Sequence, residues 1–184
     1  LHHGGGERAN AYVLRNVDAA VLNNNVLAGA FLVKLWKITG ESEYRTAADE
    51  LLTYTVNRRT PYNAWYYTHL PEKSRITHDN YHTGGILDGL AEYFEETGDD
   101  RFMEPYMKGL EFYRTRLFER DGAPRWMYDK RWPHDIHGAA QGIISFVKGR
   151  RYAPECRDLP EKIAAWAKRT LYRPATRDYA YRRG

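Results

Sequence analysis

The sequence predicts an all-α fold of repeated helical hairpins. Three observations carry that reading. Apolar residues recur at helical rather than alternating spacing in three separate stretches. Each stretch is followed by a second amphipathic stretch that can fold back on it. The arrangement also repeats: Thr39-Gly40 and Thr97-Gly98 stand 97 − 39 = 58 residues apart, each between a buried helix and its partner, and Asp135 opens a third unit 135 − 79 = 56 residues after Asp79. A hairpin repeated at that period cannot cover its apolar face alone, so three such pairs must stack as a helical array or a partial toroid. No strand-rich segment competes with this reading.

Residues 1–10, with Gly4-Gly5-Gly6, are expected to be a flexible lead-in. From about Val21 to Ile38, the residues Leu22, Val26, Ala30, Leu32, Leu35 and Trp36 make a buried helix that Gly40 ends, glycine being the usual left-handed terminator. Ser42 can cap a second helix near Tyr44 to Asn57, with Tyr44, Ala48, Leu51, Leu52 and Val56 inward. Residues 58–78 lose the helical period and read as a long aromatic loop with room for a short strand. Asp79 is a good N-cap for the next helix, in which Ile86, Leu87, Leu90, Tyr93 and Phe94 form the buried face as far as Glu96. Asp99 or Asp100 caps its partner, through about Leu117. A second aromatic loop, from Glu119 to His134, turns at Asp121-Gly122. Asp135 then starts a third buried helix, to about Val147, and Leu159-Pro160 begins its partner, to about Leu171. Residues 173–184 form an extended basic end.

The composition suits one globular domain over residues 1–184, with 42% hydrophobic and 14% aromatic residues. The net charge of +4 is local: residues 149–184 hold ten Lys/Arg against four Asp/Glu, leaving 18 against 20 and a net of −2 for residues 1–148. Nothing resembles a nucleic-acid module, and no apolar run approaches a membrane span. Cys156 is the only cysteine, so no internal disulfide is possible, which together with the resemblance below points to the cytoplasm. The chain starts at Leu1 rather than Met and stops in an Arg/Tyr-rich segment, and is expected to be a piece of a longer protein.

Two motifs give the chain a recognisable look: Asp79-Asn80-Tyr81-His82-Thr83-Gly84 after one aromatic loop, and Asp135-Ile136-His137-Gly138-Ala139-Ala140-Gln141 after the other. Over residues 20–172 they resemble a bacterial group with the (α/α) six-hairpin toroid fold, linked to cell-surface polysaccharide synthesis. The wider superfamily contains glycoside hydrolases, uronate-polysaccharide lyases and sugar epimerases, so the resemblance implies work on a poly- or oligosaccharide. It does not choose the reaction. A complete toroid has six hairpins and this chain has three, which implies either further hairpins in a longer chain or self-association.

In such a toroid one helix of each pair lines the centre. Asn23-Asn24-Asn25, Asp79 to His82 and Asp135 to Gln141 would then face one end of a funnel, where free helix N–H groups suit carboxylates. Helix capping accounts for each aspartate singly, and the threefold recurrence is what favours a site. Asp79 and Asp135 are the best carboxylate pair for a hydrolase. His82 and His137 are the best general bases, since an imidazole titrates near neutral pH. These four are the expected reactive set.

Asn24, Asn80, Tyr81 and Gln141 are the expected polar contacts to substrate. Trp65, Tyr67, Trp126, Tyr128 and Trp132 supply flat faces for sugar rings, with loop anchoring as the alternative. Asp88 and Glu92 sit deeper on the same helix and read as a salt-bridged or surface face. His78 with His82, and His134 with His137, have metal-ligand spacing, but His-Glu-x-x-His is absent, and neither a metal nor a cofactor is expected. The nucleophile elbow and phosphate-binding loops are absent as well. The competing reading is a non-catalytic carbohydrate-binding or assembly module on the same scaffold.

Overall fold

A computed structural model describes residues 5–11 and 20–183. Six helices alternate between two layers. The helices α1 (Leu22–Thr39), α3 (Asn80–Thr97) and α5 (Ile136–Gly149) form a front layer in which α3 packs against both neighbours. Behind them, α2 (Ser42–Val56), α4 (Met103–Arg116) and α6 (Leu159–Thr170) each pack on the helix they follow. The three predicted hairpins are therefore present in the predicted order, as a partial α/α toroid.

The helix ends follow local chemistry. Gly40 and Gly98 terminate α1 and α3 with φ of 77° and 69°, in the left-handed region where only glycine sits without penalty. Asp79 caps α3 by accepting the His82 amide, and Asp135 caps α5 by accepting the Gly138 amide at 2.8 Å. Two predicted caps differ. Ser42 is the first residue of α2 rather than its cap, so the helix starts two residues before Tyr44. Asp99 is drawn instead into an ion cluster with Arg45 and Arg101, and α4 begins only at Met103.

The core runs between the layers. Leu22, Val26, Leu52, Leu87, Leu90, Tyr93, Tyr113 and Phe146 are all buried, each aliphatic one contributing about 1.5–3 kcal/mol. Leu32, Leu35 and Trp36 are only half-buried, and Val33 takes the fully buried place on α1. Close approach fixes α3 at the centre. A Cβ at Gly84 would collide with the Gln141 side chain of α5, and one at Gly89 with Val26 of α1. A chain of charges ties the same three helices, because Glu92 accepts Lys34 Nζ of α1 at 2.7 Å and Lys148 Nζ of α5 at 3.0 Å. Burial alone would push the Glu92 carboxyl up, but the two lysines outweigh it and hold it below the usual carboxylate range.

The loops are pinned by two-residue strands. In the 58–78 loop, β2 (Thr68–His69) pairs antiparallel with β1 (Ala20–Val21), with Val21 opposite Thr68. The strand β3 (His134–Asp135) leads into α5. After α6, β4 (Tyr172–Arg173) and β5 (Asp178–Tyr179) form a hairpin, and β6 (Arg182–Arg183) returns to pair antiparallel with β3. Residues 7–10, expected as part of a flexible lead-in, are docked: Glu7 accepts Arg58, the Arg8 amide donates to Glu50 O, and the Asn10 amide donates to Asn25 Oδ1. Residues 1–4 and 184 of the predicted ends lie outside the described residues. Among the described residues, no helix is long and apolar enough to cross a membrane.

Candidate functional site

The first turns of α3 and α5 lie side by side. An added Cβ at Gly138 would stand 3.1 Å from Asn80 Oδ1, and the Tyr81 and His137 rings are 5.6 Å apart. The 119–134 loop closes the end of α3: the Asn80 amide donates to Trp126 O and the Tyr128 amide to His78 O.

At this junction Asp79 Oδ2 accepts the His82 backbone amide at 3.1 Å and lies 2.7 Å from His82 Nδ1. A carboxylate only accepts, so Nδ1 carries the ring proton and a neutral imidazole leaves Nε2 with its lone pair. The carboxylate is nearly buried while the imidazole is a quarter exposed. The two therefore form an oriented carboxylate–histidine pair with the imidazole on the solvent side.

Aromatic rings continue on either side. Tyr67 stands 4.5 Å from His82, Tyr81 5.2 Å from His82, and Tyr181 5.1 Å from His137. The result is one row: Tyr67, His82, Tyr81, His137, Tyr181. Tyr81 and His137 are exposed. Asp135 sits below the row, buried and capping α5, with Arg182 Nε 4.0 Å from its second oxygen. The Arg182 guanidinium lies over the Trp126 ring at 4.7 Å and the Tyr181 ring at 4.6 Å.

The other predicted contacts divide. Asn80 is consumed in packing: Nδ2 donates to Leu117 O at 2.7 Å and Oδ1 accepts the Tyr113 hydroxyl at 3.0 Å, tying α3 to α4. Trp65 is 1% exposed and donates its indole N–H to Thr55 O, so the structure places it in the core rather than on a platform. Tyr128 leans on Phe112 and lines a different hollow, with Tyr62, behind the site. Trp132 is exposed and packs at a tilt against His134, with the rings 4.0 Å apart. Gln141 donates to Asp88 Oδ2 at 2.8 Å. Asn24 is half-buried, and it is Asn23 that faces Tyr81 across the front layer.

Three contributors escaped the sequence reading. Tyr181 and Arg182 belong to an end that showed no role, although its density of Tyr and Arg was visible. Asp88, expected with Glu92 on a salt-bridged or surface face, has its carboxyl pKa raised by burial, with Gln141 and Ser145 donating to it. Among the described residues, no three His, Cys, Asp or Glu side chains converge as a metal site would need.

No protein-family model and no curated protein matches the chain. Solved structures do match. A GH76 α-mannanase of Bacteroides thetaiotaomicron aligns with a TM-score of 0.72 at 12% identity, over 88% of this chain and 48% of that one. The cellobiose 2-epimerase of Spirochaeta thermophila gives 0.71 at 12%, over 85% and 44%. The unsaturated glucuronyl hydrolase of Bacillus sp. GL1, responsible for the degradation of glycosaminoglycan, gives 0.71 at 14%, over 90% and 51%. This chain therefore has, in part, the α/α toroid fold that these solved structures share, and spans about half the length of those it matches.

Proposed function

We propose that this chain carries a saccharide-processing site at the adjoining ends of α3 and α5, with His82 as general base. The observation that carries the reading is the 2.7 Å contact of Asp79 with His82 Nδ1 inside a row of aromatic rings. Asp79 fixes the imidazole's orientation and stabilises the imidazolium that forms when Nε2 takes a proton. That proton comes from an attacking water in hydrolysis, or from the carbon beside a carboxylate in elimination or epimerisation. His137, across Tyr81, is placed to handle the second proton on the other side of a ring lying on Tyr81. The exposed Tyr81 and Tyr181 offer faces for sugar rings, and Asp135 supplies the second carboxylate.

The test is a panel of poly- and oligosaccharides assayed for new reducing ends, for ultraviolet absorbance of an unsaturated product and, by nuclear magnetic resonance, for an epimerised sugar. The first alone marks a hydrolase, and the second marks a lyase. Asp79→Asn and His82→Ala should each cut turnover by about 10²–10⁴-fold, the usual worth of a general base, while binding changes little. Full turnover in both variants would refute the base assignment. Binding without turnover on any substrate would make the chain a non-catalytic carbohydrate-binding module.

A further inference from the structure

We infer that the front wall below Tyr81 holds a subsite for a neutral, hydroxyl-bearing sugar ring, built by Asn23, Gly85, Asp88 and Gln141. The proposal rests on the saccharide reading above and adds to it both a place and a chemical class. A hollow of about 130 Å³ lies among α1, α3 and Gln141 of α5, with Tyr81 and Glu92 in its lining. That is well above the roughly 10–15 Å³ that one water needs.

Three independent features converge there. Among the described residues, Asn23 Oδ1 has no hydrogen-bond partner and is sealed from solvent. A buried acceptor left alone costs about 1–3 kcal/mol, a cost that a turn of the Asn23 side chain toward a donor in the hollow would recover. Gly85 lies inside α3, where glycine costs about 1 kcal/mol relative to alanine. Packing does not demand it: an added Cβ would meet nothing nearer than the Asn23 Cβ at 3.9 Å, an ordinary contact. Its neighbours Gly84 and Gly89, by contrast, have side chains pressed against them. What the bare Cα of Gly85 preserves is the width of the hollow.

Asp88 is the third feature. Gln141 Nε2 and Ser145 Oγ donate to its two oxygens at 2.8 and 2.9 Å, fixing the carboxyl at the wall. It lies nine residues into the helix from Asp79, a rise of about 13 Å, which puts it too deep to serve as the partner carboxylate of Asp79.

The lining selects the ligand. A turned Asn23 side chain offers Oδ1 to a donor, Asp88 accepts from hydroxyls on its remaining lone pairs, and Tyr81 offers a ring face. Two carboxyl side chains and no cation line the hollow, so nothing in the lining pairs with a sugar carboxylate. An anionic sugar is disfavoured and a neutral hexose fits.

The experiment is a nuclear magnetic resonance titration of the whole chain with D-glucose, D-mannose and D-glucuronate. Side-chain amide signals of Asn23 and Gln141 report the hollow, and ring signals of His82 and His137 report the rim. A neutral hexose should shift the Asn23 amide saturably and glucuronate should not. Gly85→Ala should weaken that binding by about tenfold or more, while the melting temperature rises by about 2–4 °C. A purely structural glycine would give the rise alone.

An unmoved Asn23 amide, an equal response to glucuronate, or unchanged binding by Gly85→Ala overturns the subsite. If the histidine signals move while Asn23 stays still, the subsite falls and the rim reading stands. If Asn23 moves while the histidines stay still, the subsite stands and the rim reading falls.

Discussion

In the first turn of α3, Asp79 Oδ2 receives both the amide and the ring of His82, so asparagine there keeps a cap while removing the charge behind the imidazole. That is why Asp79→Asn is a better probe than Asp79→Ala, which would also forfeit about 1 kcal/mol of capping. Both N-cap aspartates were legible, because a carboxylate ahead of an apolar helical run has one common use. Contact partners were not. Asn80 and Trp65 carry the right groups for a sugar site, yet one bonds Leu117 and Tyr113 and the other Thr55. Three consecutive asparagines likewise gave no helical phase with which to choose Asn23 over Asn24.

His78 carries the pH prediction. It donates from Nδ1 to Trp65 O and accepts the Tyr62 hydroxyl at Nε2, and burial lowers its pKa below the ordinary 6.5. The folded state then binds fewer protons than the unfolded state just below that value. Stability from this group is complete above it and is lost as pH falls through the lowered one. Urea unfolding at about pH 7.5 and about pH 5.5 should show a larger loss in the wild type than in His78→Gln.

At the scale of elements, the six helices were readable because each buries a face over many turns, which leaves a long periodic trace. Strands of two residues leave none. Pairing of β3 with β6 joins residues 134–135 to 182–183, and no local pattern announces a contact across that separation. The pairing matters to the site, because the Ile136 amide donates to Tyr181 O and the Tyr181 ring lies against His137. Truncation after Leu171 should leave the hairpins folded, since most of residues 172–183 are exposed. Hydrogen exchange should accelerate at the Ile136 amide and stay unchanged in the middle of α3. Equal protection at Ile136 in both proteins would show that the strand does not hold the start of α5.

For the molecule as a whole, the repeat spacing foretold three hairpins, and the solved toroids it matches are about twice its length. The front layer exposes Leu27 and Phe31 on α1 and Ile144 and Val147 on α5, the kind of apolar surface that marks an association face when it is contiguous. The chain alone should associate through this face. Sedimentation velocity should give a mass that rises with concentration for the wild type, and less so for Phe31→Lys; identical behaviour would place the contact elsewhere. Glu92 gives this face a further property. It draws an ammonium from α1 and another from α5 while forming part of the hollow's own lining, like a single hoop drawn round three staves. Because that tie is partly open to solvent, dissolved ions compete for it. Raised ionic strength should therefore loosen the tie, and with it the hold that keeps the three helices abreast.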